Sequence, residues 1–234
     1  MTQNNSPIIV ALDFDNKIEA VNLVKQLDPK LCRLKIGKQL FSACGPQIVT
    51  EVMNYGFDVF LDLKFHDIAN TVYNAVKVVA KLGVWMTNVH AQGGEKMLVA
   101  AKNAIIHVNS QTLIVAVTIL TSLEQKDLLI YHPDIDINKT IEKLAKLSYN
   151  CGLDGVVCSA HEANKIKSIT TPDFITVCPG IRPINANLDD QNRVMTPNLA
   201  RQNKADYLVI GRPITNATNP NQALLNILMT LETQ

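Results

Sequence analysis

Asp62, Lys64 and Asp67 are three closely spaced charges in the run Asp58 to Val76, DVFLDLKFHDIANTVYNAV. Val59, Phe60, Leu61, Leu63 and Phe65 make the first part of that run an apolar segment of strand length. Side chains two apart on a strand point the same way, so Asp62 and Lys64 are expected on one face, with Asp67 just past the strand end. Charges in a segment that reads as buried are costly unless paired. One reading is a structural ion pair closing the end of a core strand. The other is a catalytic lysine held between two carboxylates. Flanking anions favour the protonated form of a lysine, which suits electrostatic stabilisation and proton donation. A lysine that forms a Schiff base needs the opposite environment.

The elements that must position these residues follow from hydrophobic patterning along the chain. Strands are expected at Ile8 to Phe14, Arg33 to Gly37, the central run, Val84 to His90, Gln111 to Leu120, Gly155 to Ser159, Phe174 to Ile181 and Tyr207 to Gly211. Helices are expected at Lys17 to Leu27, Gly45 to Tyr55, Asn70 to Leu82, from near Gly94, Leu123 to Ile130 and Lys139 to Asn150. Three more follow, around Ala163 to Ile169, Asn198 to Lys204 and Asn221 to Leu231. The stretch Arg182 to Thr196 reads as a polar loop. Strands alternating with helices imply parallel strands joined by crossovers. A (β/α)8 TIM barrel, one domain over residues 1–234, fits this pattern. A doubly wound open sheet is the alternative, but no Gly-rich phosphate fingerprint follows the first strand.

Composition narrows the function. The chain has 234 residues, 47% hydrophobic and 18% charged, with a formal net charge of +1; this describes an ordinary globular protein with no electrostatic case for nucleic acid or anionic membrane. The polar start MTQNNSP lacks the regions of a signal peptide, and the apolar run Leu113 to Leu120 is too short to span a bilayer. A cytoplasmic location is expected. The five cysteines are scattered, with no CxxC pair, and read as reduced core thiols. The histidines show no HxxxH or HExxH spacing, so no metal site is expected. His66 and His90 both fall near strand ends, where they could meet in a barrel mouth.

In a barrel of this type, chemistry gathers at the carboxyl ends of the strands. Asp13, Lys35, Asp62, Lys64, Thr121, Pro179, Gly211 and Arg212 all fall at or near those ends. Each alone reads as a solvated rim residue; together they indicate a charged pocket. The loops after strands seven and eight, with PGIRP, Gln191 and Asn192 in one and GRPI in the other, are candidates for a phosphate site. Gly211 lets backbone approach a ligand, and Arg212 offers a bidentate contact.

The string DLKFHDIANTV resembles the DxKxxD signature of the orotidine 5'-phosphate decarboxylase family, including its FHDI-NTV surroundings. ALDF, LKIG, VTILTS, CPGIRP and VIGRPI occur in that family's order and extend the resemblance over nearly the whole chain. DxKxxD alone is shared with a wider superfamily; the longer string is more specific. Ala69 stands where the family usually has proline, a change that removes no functional group.

The resemblance implies decarboxylation of orotidine 5'-phosphate to uridine 5'-phosphate, the last step of UMP synthesis. It implies catalysis without a cofactor, Lys64 stabilising the carbanion and donating its proton while Asp62 and Asp67 position the ammonium. It also implies that Asp13 and Lys35 contact the ribose hydroxyl region, that Thr121, Ser122 and Arg182 contact the nucleotide, and that Gln191, Gly211 and Arg212 hold the phosphate. Asp67, Ile68 and Thr71 would reach into the neighbouring subunit's site of a homodimer. Two alternatives remain open: a metal-dependent relative on the same frame, such as a sugar-phosphate decarboxylase or hexulose-phosphate synthase, and a barrel that binds nucleotide without turnover.

Overall fold

Short β-branched segments account for the sheet of the computed structural model, which describes residues 4–130, 133–183 and 194–232. The strands are β1 (Ile8–Leu12), β2 (Arg33–Gly37), β3 (Val59–Phe65), β4 (Met86–His90), β5 (Leu113–Val117), β6 (Gly155–Val157), β7 (Ile175–Cys178) and β8 (Tyr207–Ile210). Each pairs in parallel with the next, and β8 returns to β1, closing the barrel. The fold is therefore the (β/α)8 TIM barrel.

Around the barrel run α1 (Lys17–Val24), α2 (Lys38–Cys44), α3 (Gln47–Asn54), α4 (Ala69–Lys81), α5 (Gly94–His107), α6 (Gln125–Leu128), α7 (Ile137–Asn150), α8 (Ala163–Ile169), α9 (Pro197–Gln202), α10 (Arg212–Thr215) and α11 (Pro220–Glu232). Local chemistry sets several of them. In α4, Val72, Val76, Val79 and Ala80 recur at helical spacing and form its buried stripe. The Asp136 carboxylate accepts the Lys139 N–H at the start of α7, and the Thr196 hydroxyl does the same for Leu199 in α9. Ala69 is the first residue of α4. Proline suits that position because its φ is preset, but alanine is the best helix former, so the helix starts in the same way.

Parallel strands in a barrel are covered on both faces, and successive side chains alternate between them. Inward-pointing Ile9, Ala11, Phe60, Met86, Val115, Val117, Val157, Val177 and Val209 make one apolar cluster. Their neighbours, such as Ile8, Val10, Leu12, Leu34, Ile36 and Leu61, pack in a larger cluster that takes in residues of the helices. Burying one such aliphatic side chain stabilises by about 1.5–3 kcal/mol. At the amino end of the barrel the Arg33 guanidinium stacks on Trp85 and Tyr207, 4.4 and 5.2 Å from the ring centroids. It also donates to the carbonyls of Asn4 and Ser6, tying the segment before β1 across the barrel floor. All five cysteines are free thiols. Burial, reinforced by Asp28, pushes the Cys32 thiol up to about 12.

The differences from the expected elements are local. The crossover after β2 holds two helices, since α2 precedes α3. Helix α2 buries only Leu40, so its sequence lacks an apolar stripe, and it ends at Gly45 with φ 67°. The four-residue α10 was also hidden, because the Pro213 that starts such a helix reads equally as a breaker. The regular helix expected over Leu123 to Ile130 contracts to α6. Strands β5 and β7 are shorter than their apolar runs, because residues such as Thr118 and Ile119 continue the buried run after the ladder has ended. Of the loop Arg182 to Thr196, residues 184–193, including Gln191 and Asn192, lie outside the described residues. Ile181 bridges to Met195 across its base.

Candidate active site

The polar mouth is built where the interior side chains of β1 to β4 change from apolar to charged. Asp13 lies one residue beyond β1, Lys35 is on β2, Asp62 and Lys64 are on β3, and Asn88 is on β4. Lys35 and Asp62 are buried, as is Asn88 with no exposed surface. The charges alternate along a chain of contacts. Lys35 Nζ is 3.2 Å from Asp13 Oδ1 and 3.5 Å from Asp62 Oδ2, and Lys64 Nζ is 2.6 Å from Asp62 Oδ1. Gly37 leaves room for this arrangement: a Cβ there would lie 3.1 Å from the Lys35 ammonium.

Pairing outweighs desolvation at both buried charges. Burial disfavours the Lys35 ammonium, but the charges of Asp62 and Asp13, with hydrogen bonds to both, hold it above the ordinary lysine value. Burial likewise disfavours the Asp62 carboxylate. Lys35, Lys64 and the Asn88 amide outweigh it and hold the carboxyl below its usual range.

The route by which Asp62 and Lys64 meet differs from the expected flat pleat. Leu61 pairs with Thr87, but the next registered pair is Phe65 with Val89, so Asp62, Leu63 and Lys64 together face Asn88. Lys64 takes φ 53°, in the left-handed region. A non-glycine residue there costs on the order of 1–3 kcal/mol and persists only where surrounding contacts impose it. The bulge, not strand alternation, brings the two side chains together.

One cavity of about 610 Å³ opens over these groups. Asp13, Lys35, Asp62, Lys64, Thr121, Ser122, Pro179, Arg182, Gly211 and Arg212 all line it, drawn from six of the eight strands and the connections that follow them. The turn after β7 that carries Pro179 and Arg182 contains Gly180 at φ 77°, a conformation glycine adopts without a Cβ penalty. Gln39, Thr215 and Asn216 also line the cavity and carried no signal in the sequence beyond their polarity. Asn88 was missed as well, although it is the lone amide inside an apolar strand. Among the described residues no group of three or more His, Cys, Asp or Glu side chains could hold a metal ion, and no helix is long and apolar enough to cross a membrane.

Asp67, Ile68 and Thr71 stand apart. All three are exposed, Ile68 by 72%, and none lines the cavity of its own chain. Asp67 accepts the Ile68 N–H at 2.6 Å and makes no ion pair with Lys64 of the same chain among the described residues. Among the described residues of the cavity, the lysine held between two carboxylates is Lys35, between Asp13 and Asp62. Beside this edge, His66 and His90 do meet, with ring centroids 5.4 Å apart.

A parallel (β/α)8 barrel with buried, alternating charges under a mouth that carries two arginines defines a class: barrels equipped to receive a small anionic ligand at the carboxyl ends of their strands. The family follows from comparison. Residues 6–227 match the model of the Orotidine 5'-phosphate decarboxylase / HUMPS family, and the chain belongs to that family. It is 52% identical over 229 residues to a protein of Shewanella sediminis named orotidine 5'-phosphate decarboxylase, covering 97% of this chain and 98% of that one. A protein of the same name from Psychromonas ingrahamii is 51% identical over 221 residues, 94% of each chain. Among solved structures, the orotidine 5'-phosphate decarboxylase of Lactobacillus acidophilus superposes with a TM-score of 0.86 at 36% identity, over 97% of this chain and 100% of the other.

Proposed function

We propose that this chain decarboxylates orotidine 5'-phosphate to uridine 5'-phosphate, in pyrimidine nucleotide synthesis, without a cofactor. The observation that carries the reading is the Lys64 ammonium held 2.6 Å from Asp62 in a cavity that Arg212 also lines. The bond from carbon six of the pyrimidine to the carboxylate breaks, carbon dioxide leaves, and the electron pair stays on carbon six. No conjugated carbonyl accepts that pair, so a preorganised cation must stabilise it. Lys64 supplies the cation and then donates an N–H proton to carbon six. The neutral amine regains its proton from water.

Asp62 and Asp67 position the ammonium, and Asp13 and Lys35 bind the ribose hydroxyls. Thr121, Ser122, Pro179 and Arg182 contact the nucleotide, and Gln191, Gly211 and Arg212 its phosphate. The unit is one domain over residues 1–234, working as a cytoplasmic homodimer in which Asp67, Ile68 and Thr71 complete the partner's site. The exposure of all three in the single chain supports this, as does the fact that, among the described residues, Asp62 alone pairs with Lys64. Phosphate binding remote from the reacting carbon supplies energy to organise the site.

The test is an absorbance assay with orotidine 5'-phosphate after exhaustive chelation. Undiminished turnover is expected. Activity lost to the chelator and restored by magnesium would move the chain to a metal-dependent branch of its family, and binding of uridine 5'-phosphate without turnover would make it a silent barrel.

A further inference from the structure

We infer that Asn88 is a positioning residue that sets the geometry of Lys64 and Asp62, an inference that rests on the reading of those two residues as the reacting site. Where β3 bulges away from β4, the ladder leaves Asp62, Leu63 and Lys64 opposite a single residue. The side chain of that residue does the work of the interrupted ladder. Asn88 Oδ1 accepts the Lys64 backbone N–H at 2.8 Å, and Asn88 Nδ2 donates to Asp62 Oδ1 at 2.7 Å. The first bond holds Lys64 in its left-handed conformation, at φ 53°. The second fixes the same carboxylate oxygen that takes the Lys64 ammonium.

One fully buried amide thus grips both the backbone and, through Asp62, the side chain of the lysine. An amide offers an acceptor and a donor at this reach in a single, non-titrating group. Asn88 does not line the cavity, so it acts through Lys64 and Asp62, not on the substrate.

Two substitutions separate positioning from folding. Asn88→Asp keeps the shape and the acceptor for the Lys64 N–H, but sets a second carboxylate oxygen against Asp62. Asn88→Ala removes both bonds. A misplaced catalytic group costs on the order of 100-fold in rate, so kcat is expected to fall by about that factor in both, with KM near the wild-type value. The acid limb of the kcat/KM profile, which reports the unliganded enzyme, is expected to move to higher pH, further for Asn88→Asp, because Asp62 loses a donor that favours its ionised form. Affinity for uridine 5'-phosphate, measured by calorimetry on Asn88→Asp, is expected to stay close to wild type.

Wild-type kcat and acid limb in both variants would overturn the inference. So would losses that track lost uridine 5'-phosphate affinity and a lost thermal transition, the mark of a merely structural role. Lys64→Ala is assayed in parallel. If it is inactive while the Asn88 variants are normal, the Asn88 inference alone fails; if it turns over normally, the assignment of Lys64 fails and takes this inference with it.

Discussion

The Asp62 carboxylate takes the Lys64 ammonium on one oxygen at 2.6 Å and leaves the other to Lys35 at 3.5 Å. Asp62 is thus the shared anion of two lysines, and Lys64 is the last link of an alternating chain that starts at Asp13. Buried ion pairs are costly to break, because the survivor is left uncompensated.

Lys64→Ala should abolish turnover while the protein still folds, because the side chain lines the cavity. Each tenfold loss in rate corresponds to about 1.4 kcal/mol of transition-state stabilisation. A cation facing a developing carbanion should account for many such factors. Single-turnover kinetics beside a circular dichroism melt make the measurement, and near-normal turnover would remove Lys64 from the mechanism.

Arg212→Ala should weaken turnover of the phosphorylated substrate and leave the slow reaction of the phosphate-free nucleoside unchanged. A charge-assisted hydrogen bond contributes about 1.5–3 kcal/mol, roughly 10- to 100-fold in kcat/KM. Equal losses with both substrates would place the phosphate elsewhere.

His90 gives a pH dependence of known sign. Burial first, then the charges of His66, Lys38 and Lys64, outweigh Asp62 and push it from 6.5 down to about 4. The unfolded chain therefore binds this proton at higher pH than the folded one, and stability falls as pH drops from 6.5 towards 4. The urea midpoint of His90→Gln should fall less steeply over that window than the wild-type midpoint. Parallel slopes would show that His90 titrates alike in both states.

Asp67 should complete the Lys64 site of a partner subunit. Lys64→Ala and Asp67→Ala homodimers should each be nearly inactive, and exchange of subunits should restore activity. With random exchange about half the dimers are mixed and each carries one intact site, so recovery should approach roughly a quarter of wild type if the sites are independent. No recovery after verified exchange would show that Asp67 acts within its own chain.

Much of this molecule was legible in the order of its residues. β-branched runs separated by helical stretches specify parallel strands with crossovers, because each strand must bury both faces and each crossover must cover one. Strand-end position then marked Asp13, Lys35, Asp62, Lys64 and Arg212 as residues of one mouth, and the cavity contains them all. Helices α2 and α10 were not legible, since neither carries an apolar stripe long enough to read.

What the tertiary structure decided was which charges touch. Sequence spacing set Lys64 between Asp62 and Asp67; among the described residues, folding gave it Asp62 alone and gave the flanked position to Lys35, which lies 22 and 27 residues from its carboxylates in the sequence. Spacing along one strand reports only on that strand, whereas a closed barrel sets residues of β1, β2, β3 and β4 side by side at distances no local pattern encodes. The bulge at Lys64 and its hold on Asn88 are of the same kind. They arise where three residues of β3 stand opposite one residue of β4.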